Sequence, residues 1–219
     1  MIFVNFKTYR EATGEAALNL AKICQEVSQQ TKVSIIPVVQ IIDLALVKKE
    51  VDIPIWVQHA DPEPQGQFTG SINVEAVYEA GANGTLLNHS EYPLNFDILD
   101  KTAARIKSLA NTFQVMICCQ DLEILKKAAQ LSPNYLAYEP PELIGSKTSS
   151  VASEKADTIG EAVKRADNIP LIVGAGIKTA EDVKISLKKG AKGILVSSSV
   201  VLSKSPLQTL STLAAAFTS

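Results

Sequence analysis

Tyr135-Leu136-Ala137-Tyr138-Glu139-Pro140-Pro141-Glu142-Leu143-Ile144-Gly145 is the stretch on which the architecture turns. An apolar run of strand length stops at an ionisable glutamate, and a proline-stiffened, glycine-ended loop begins directly after it. Parallel (β/α) barrels build their chemistry at the carboxyl ends of their strands, so a run that delivers Glu139 to such an end predicts a site on that face. Two consecutive prolines restrict the near side of the loop, while Gly145-Ser146 leaves the far side free to turn, so the loop reads as a lid.

Seven further β-branched or apolar runs flank this one: Ile2 to Phe6, Val33 to Val38, Ile53 to Val57, Gly84 to Leu87, Val115 to Cys118, Pro170 to Val173 and Gly193 to Val196. They alternate with stretches of helical period. Eight strands in 219 residues leave about 27 residues per unit, the size of a βα repeat, and such alternation implies right-handed parallel crossovers. The fold class predicted is α/β, a closed (β/α)8 barrel forming a single domain over residues 1–219. A doubly wound open sheet looks the same one strand at a time and is the structural alternative. Two joints repeat one plan, Gly81-Ala82-Asn83-Gly84-Thr85-Leu86-Leu87 and Gly190-Ala191-Lys192-Gly193-Ile194-Leu195-Val196, in which a glycine closes a helix before the next strand. The polar residues after the two strands differ: Asn88-His89-Ser90-Glu91 in one case, Ser197-Ser198-Ser199 in the other.

Composition narrows the function. With 46% hydrophobic residues the chain buries a sizeable core, and 21 basic against 23 acidic residues, scattered evenly, offer no basic stripe to nucleic acid or to a membrane surface. Met1 enters a strand-like run at once, without the pattern of a signal peptide. Cys24, Cys118 and Cys119 are too few for a disulfide framework, and neighbours in a strand face opposite ways, so a reducing cytoplasm fits.

Candidate chemistry gathers at strand ends. Asn5 and Lys7 alternate with Phe6 and so share one strand face. His89 follows the fourth run, with Ser90 and Glu91 placed to open a helix whose N-terminus would disfavour an imidazolium. His59, in Gln58-His59-Ala60-Asp61-Pro62, reads as structural because an acid and a proline beside it mark a turn. Tyr138 and Pro140 flank Glu139 with apolar bulk, which predicts a carboxylate basic enough to serve as a general base. Gly145-Ser146, Gly174-Ala175-Gly176 and Ser197-Ser198-Ser199 are suited to an anion, and the last two follow the seventh and eighth runs, where barrels commonly hold phosphate. Thr179 stands where a dinucleotide fingerprint needs its third glycine, and there is no Gly-Lys-Ser loop, His-Glu-x-x-His or paired-cysteine motif. Dinucleotide binding is therefore disfavoured.

Together, Asn5-Phe6-Lys7-Thr8-Tyr9, Leu87-Asn88-His89-Ser90-Glu91 and Tyr138-Glu139-Pro140-Pro141-Glu142-Leu143-Ile144-Gly145 resemble the triosephosphate isomerase family, in its short archaeal-type branch. The resemblance runs from the first strand to the last helix. It implies a single (β/α)8 TIM barrel that interconverts dihydroxyacetone phosphate and glyceraldehyde 3-phosphate through an enediolate, with no metal and no organic cofactor. It also implies roles: Glu139 as base, His89 as neutral electrophile, Lys7 and Asn5 holding substrate and the developing charge. Ile144, Gly145, Gly176, Ser197 and Ser198 would contact the substrate's phosphate, Glu91 would stand as a carboxylate behind the site, and Cys118 would pack. Gln67-Phe68-Thr69-Gly70 resembles the loop that reaches into a neighbouring subunit, implying a homo-oligomer, dimer or tetramer. Lys147 and Ser199 depart from the family's glycines, and Tyr92-Pro93 from the arginines of its longer branch. A pentose-phosphate epimerase would need metal-binding histidines and acids, which two histidines without an acidic cluster do not supply. An indole-glycerol-phosphate synthase barrel would need other groups at the strand ends, and a barrel kept as a sensor or scaffold need not retain Asn5, Lys7, His89 and Glu139.

Overall fold

Eight short parallel strands pair in sequence order and the last returns to the first, closing a barrel without an edge. The computed structural model describes residues 1–109, 112–144 and 149–218. The first half runs β1 (Ile2–Asn5), α1 (Glu15–Thr31), β2 (Ile35–Val39), α2 (Leu44–Lys48), β3 (Trp56–Val57), α3 (Val74–Glu79), β4 (Gly84–Leu87) and α4 (Phe96–Leu109). The second runs β5 (Gln114–Cys119), α5 (Leu122–Gln130), β6 (Tyr135–Tyr138), α6 (Val151–Glu154), α7 (Ala156–Arg165), β7 (Leu171–Val173), α8 (Ala180–Lys188), β8 (Gly193–Val196), α9 (Ser198–Val201) and α10 (Pro206–Ala215). Ile2, Phe3 and Val4 stand opposite Ile194, Leu195 and Val196, a pairing that an open sheet does not have.

All eight expected runs are strands. The largest difference is β3, which keeps only two residues. Pro54 has no N–H to give a ladder, and the Ile55 N–H is taken by the Asn83 side chain at 3.0 Å, so pairing starts only at Trp56. The two helix-to-strand joints close as the sequence predicts, with Gly81 and Gly190 at φ 95° and 101° donating back to the carbonyls of Tyr78 and Leu187.

Alternation along the strands sorts the apolar residues into two layers. Phe3, Val38, Trp56, Leu86, Met116, Cys118, Ala137, Ile172 and Leu195 pack as one cluster inside the barrel. Ile2, Val4, Ile35, Val39, Leu87, Ile117 and Cys119 belong to the larger cluster shared with the helices, so the adjacent cysteines do face opposite ways. At the amino end of the strands Phe3 meets Trp56 edge-on at 5.0 Å and Tyr135 at 5.6 Å, a plug of three aromatic rings that floors the barrel. Each such pair contributes about 0.5–1.5 kcal/mol beyond its burial. The opposite end is left for polar groups. Among the described residues no helix is long and apolar enough to cross a membrane.

Candidate active site

Glu139 lies one residue past β6, its N–H bonded to the Cys119 carbonyl at 2.9 Å, which extends the β5–β6 ladder and fixes where the side chain leaves the barrel. The residue is buried at 6% exposure. Its Oε2 has no hydrogen-bond partner among the described residues and lies 3.8 Å from His89 Nε2, too far for a bond and near enough for one small substrate to touch both. Leaving a buried polar oxygen unpaired costs about 1–3 kcal/mol, and Glu139 carries that cost directly against the His89 ring. The space Glu139 occupies exists because residue 174 is glycine: a Cβ there would meet Glu139 Oε1 at 2.5 Å and Cγ at 2.6 Å.

His89 leaves β4 through Asn88, which adopts φ 59° and is pinned by its own amide, donating to the Cys118 carbonyl and accepting the Leu94 N–H, both at 2.9 Å. The helix expected to open at Ser90 and Glu91 does not form. A single turn closes instead, Tyr92 N–H on the His89 carbonyl at 2.8 Å, and α4 begins only at Phe96. Pro93 explains this, because it disfavours helical geometry at Tyr92. The case for a neutral ring therefore passes from a helix dipole to one bond: the Glu91 N–H donates to His89 Nδ1 at 3.2 Å. A ring nitrogen that accepts carries no hydrogen, so the neutral imidazole bears its hydrogen on Nε2, the atom that faces Glu139.

Asn5 and Lys7 also reach the cleft, but not by strand alternation. β1 ends at Asn5, and Lys7 takes a left-handed conformation at φ 47°. Its N–H bonds to Asn5 Oδ1 at 3.0 Å, its carbonyl accepts from Gln58 Nε2 at 2.9 Å, and its ammonium lies 2.6 Å from Glu91 Oε1. A non-glycine residue held at positive φ costs on the order of 1 kcal/mol, and here two side chains hold it. Glu91 thus serves two cleft residues at once, its amide orienting His89 and its carboxylate positioning Lys7.

Across the cleft, Gly176 adopts φ 77°, and a Cβ there would meet the Ser149 carbonyl at 2.5 Å and Ser150 Cα at 2.9 Å. Ser197 precedes α9 and its Oγ is buried without a hydrogen-bond partner among the described residues. One cleft is lined by Asn5, Lys7, His89, Glu139, Ile144, Gly176, Ser197 and Ser198, so the structure brings together every candidate site residue it describes except Glu91, which lines the adjoining opening. Gly145, with Ser146 and Lys147, lies outside the described residues. Carboxylate, imidazole and ammonium at one end and small polar residues with tight backbone at the other suit a short substrate with a reactive carbonyl and an anionic tail.

The triosephosphate isomerase family model matches residues 1–214. The chain is 42% identical over 207 residues to the triosephosphate isomerase of Methanothermus fervidus, covering 93% of this chain and 92% of that protein. It is 41% identical over 218 residues to that of Pyrobaculum islandicum (98% and 94%) and 41% over 209 residues to that of Saccharolobus solfataricus (94% and 91%). The chain belongs to the triosephosphate isomerase family.

Membership gives the cleft its substrate class, a phosphorylated triose, and it directs attention to residues that sequence reasoning passed over. Gly174, read only as part of an anion loop, is the wall that admits Glu139. Tyr9, Ala175 at φ 65° and Lys178 also line the cleft, and a lysine two residues beyond Gly176 was a legible signal for an anion site. Ser199, the departure from the family's glycine, turns its hydroxyl to the Ile177 carbonyl at 3.0 Å. His59 bonds Asp61 through Nε2 at 2.8 Å and packs edge-on against Tyr92, the structural arrangement the sequence suggested. Burial, with the charge of Glu139 close by, pushes the Cys118 thiol well up, and the same two causes push up Cys119.

Proposed function

We propose that Glu139 is the base of this chain's reaction, the interconversion of dihydroxyacetone phosphate and D-glyceraldehyde 3-phosphate, a step of glycolysis and gluconeogenesis. The single observation that carries the assignment is the unpartnered, buried Glu139 oxygen facing a His89 ring whose Nδ1 already accepts a backbone hydrogen. Glu139 takes the proton from the carbon beside the carbonyl. The electron pair left behind moves onto the carbonyl oxygen and forms an enediolate. His89 Nε2–H and the Lys7 ammonium stabilise that oxygen, placed before reaction begins and so costing no reorganisation. A proton then passes from the neighbouring hydroxyl to the former carbonyl oxygen, with His89 Nε2 as the relay, and Glu139, now protonated, gives its proton to the former carbonyl carbon, so that the new carbonyl forms on the other carbon and the isomer is complete. Asn5 holds Lys7 in its left-handed turn and faces the same substrate. Ile144, Gly145, Gly176, Ser197 and Ser198 receive the phosphate, and Glu91 orients His89 and Lys7 from behind.

No step needs a metal or an organic cofactor. An enediol phosphate exposed to water would expel its phosphate, which gives the loop from Pro140 onward its purpose as a cover. We also assign the chain to the cytoplasm and to a homo-oligomer, in which the exposed Phe68 segment around Thr69 reaches into a second copy. Reaction in D2O tests the proton route: exchange at the carboxyl of Glu139 leaves deuterium in the product at the carbon that receives the proton. Deuterium incorporation as fast in Glu139→Gln as in the wild type would remove the base from the reaction. For the assembly, light scattering at micromolar concentration gives a dimer or tetramer, and a monomer would overturn that assignment.

A further inference from the structure

One buried carboxylate, outside the cleft, ties together the two segments that surround Gly176. Asp182 lies in the first turn of α8 at 8% exposure. Its Oδ2 accepts from the Lys178 N–H at 3.1 Å, the Thr179 N–H at 2.9 Å and the Thr179 hydroxyl at 2.8 Å, and its Oδ1 accepts from the Ser150 hydroxyl. A capping box needs only the reciprocal Thr179 and Asp182 contacts. The amide of Lys178 and the hydroxyl of Ser150 are additional, and they belong to different loops.

Ser150 caps α6, the first helix after the lid, and the next residue, Val151, gives its N–H to the Ala175 carbonyl at 3.1 Å. Residues 149–151 and 175–179 are thus stitched at two points, through Ala175 on one side and through Asp182 on the other. Gly176 is enclosed between them, its missing Cβ filled by the Ser149 carbonyl and the backbone of Ser150. Burial alone would push the Asp182 carboxyl up, but the bonds from Ser150, from Thr179 and from the Lys178 amide hold it below the ordinary aspartate value, so the clamp is ionised at neutral pH. Nothing in a barrel helix requires four donors on one carboxylate. The requirement comes from the two loops that have to stay in register.

We infer that Asp182 is a positioning residue for the phosphate end of the cleft, holding the Gly176 loop and the base of the lid in one fixed arrangement through Lys178, Thr179 and Ser150. The inference rests on the assignment of Gly176, Ser197 and Ser198 to the phosphate. It acts on a part of the substrate that takes no part in proton transfer, which separates it from a role in general stability.

The test compares the intact enzyme with Asp182→Ala, Asp182→Asn and Ser150→Ala, using glyceraldehyde 3-phosphate, inorganic phosphate as competitive inhibitor, and phosphate-free glyceraldehyde followed by deuterium exchange. Losing the clamp raises KM and the inhibition constant of inorganic phosphate together, by about tenfold in Asp182→Ala. Exchange into glyceraldehyde falls by less than about threefold, because that compound does not use the phosphate end. Asp182→Asn, which keeps an acceptor for the two amides, recovers most of the phosphate affinity. Ser150→Ala removes only the link to the lid base and gives a smaller rise in the same two constants. Unchanged phosphate inhibition in a folded Asp182→Ala, or a loss of glyceraldehyde exchange as large as the loss with the phosphorylated substrate, overturns the inference. If Asp182→Ala does not fold, Ser150→Ala decides, and an unchanged inhibition constant there overturns it equally. A wild-type protein without isomerase activity would instead strike at the proposed function.

Discussion

Replacing Gly174 by alanine adds one methyl group and places it against the base. Gly174 does not adopt a positive φ, so alanine meets no backbone strain there and the effect comes from contact alone. The new Cβ would lie 2.5 Å from Glu139 Oε1 and 2.6 Å from its Cγ, where ordinary contact begins at 3.4 Å, so the carboxylate must move by about 0.9 Å. A misplacement of about 1 Å costs on the order of 10²-fold in rate, which corresponds to about 2.7 kcal/mol of transition-state stabilisation. Overpacking adds about 1–3 kcal/mol of destabilisation, which a domain of about 5–15 kcal/mol stability survives, so the variant folds and can be assayed. The measurement is kcat for glyceraldehyde 3-phosphate, with thermal unfolding as the check on folding. Gly160→Ala in α7 is the control, since a Cβ there meets nothing within 4 Å; it keeps wild-type activity and gains about 0.5–1 kcal/mol from better helix propensity. A Gly174→Ala enzyme within about threefold of wild type would refute the claim that the carboxylate must sit where the structure places it.

Two further expectations concern titration. Asp182 is held below the ordinary aspartate value, so the stability it contributes is present above about pH 4 and is lost as pH falls through its folded value; thermal unfolding from about pH 6 down to about pH 2.5 shows the gap between wild type and Asp182→Asn closing on the acid side, and a constant gap would contradict the ionised clamp. All three cysteines are buried, and burial pushes Cys24 up to about 12 and raises Cys118 and Cys119 as well, so the folded protein is unreactive towards a thiol reagent at neutral pH and reacts only after denaturation; rapid labelling of any one of them in the native state would show that the strand or helix bearing it opens.

The barrel was legible because its signals are local and repeated. Each strand run is bounded by glycine, proline or a polar cluster, and β4, β6 and β8 begin and end where the sequence places them. β3 was less legible because its pairing depends on Asn83, a side chain 28 residues away that competes for the Ile55 amide. The site divides in the same way. Glu139 and His89 are marked by their immediate neighbours in sequence, so their placement at strand ends could be read. The turn that carries His89 was misjudged because Ser90-Glu91 looks like a helix start and Pro93, three residues beyond Ser90, decides otherwise. Lys7 was placed in the right cleft for an incomplete reason, since its left-handed backbone depends on Asn5 and on Gln58 from β3's end of the barrel. Gly174 was not legible, because it matters through an atom it lacks; for Asp182 the Thr179-x-x-Asp182 spacing shows a helix cap, while the bond to Ser150 across 32 residues leaves no pattern in linear sequence.

The central claim is that Glu139 moves the proton. Its most direct test is kcat/KM for glyceraldehyde 3-phosphate in the purified wild-type protein beside Glu139→Gln, a substitution that keeps the shape of the side chain and removes its basicity. Wild-type turnover with a fall on the order of 10² to 10⁴ in the variant is the predicted result, the range that a positioned general base supplies. A variant as active as the wild type would contradict the account.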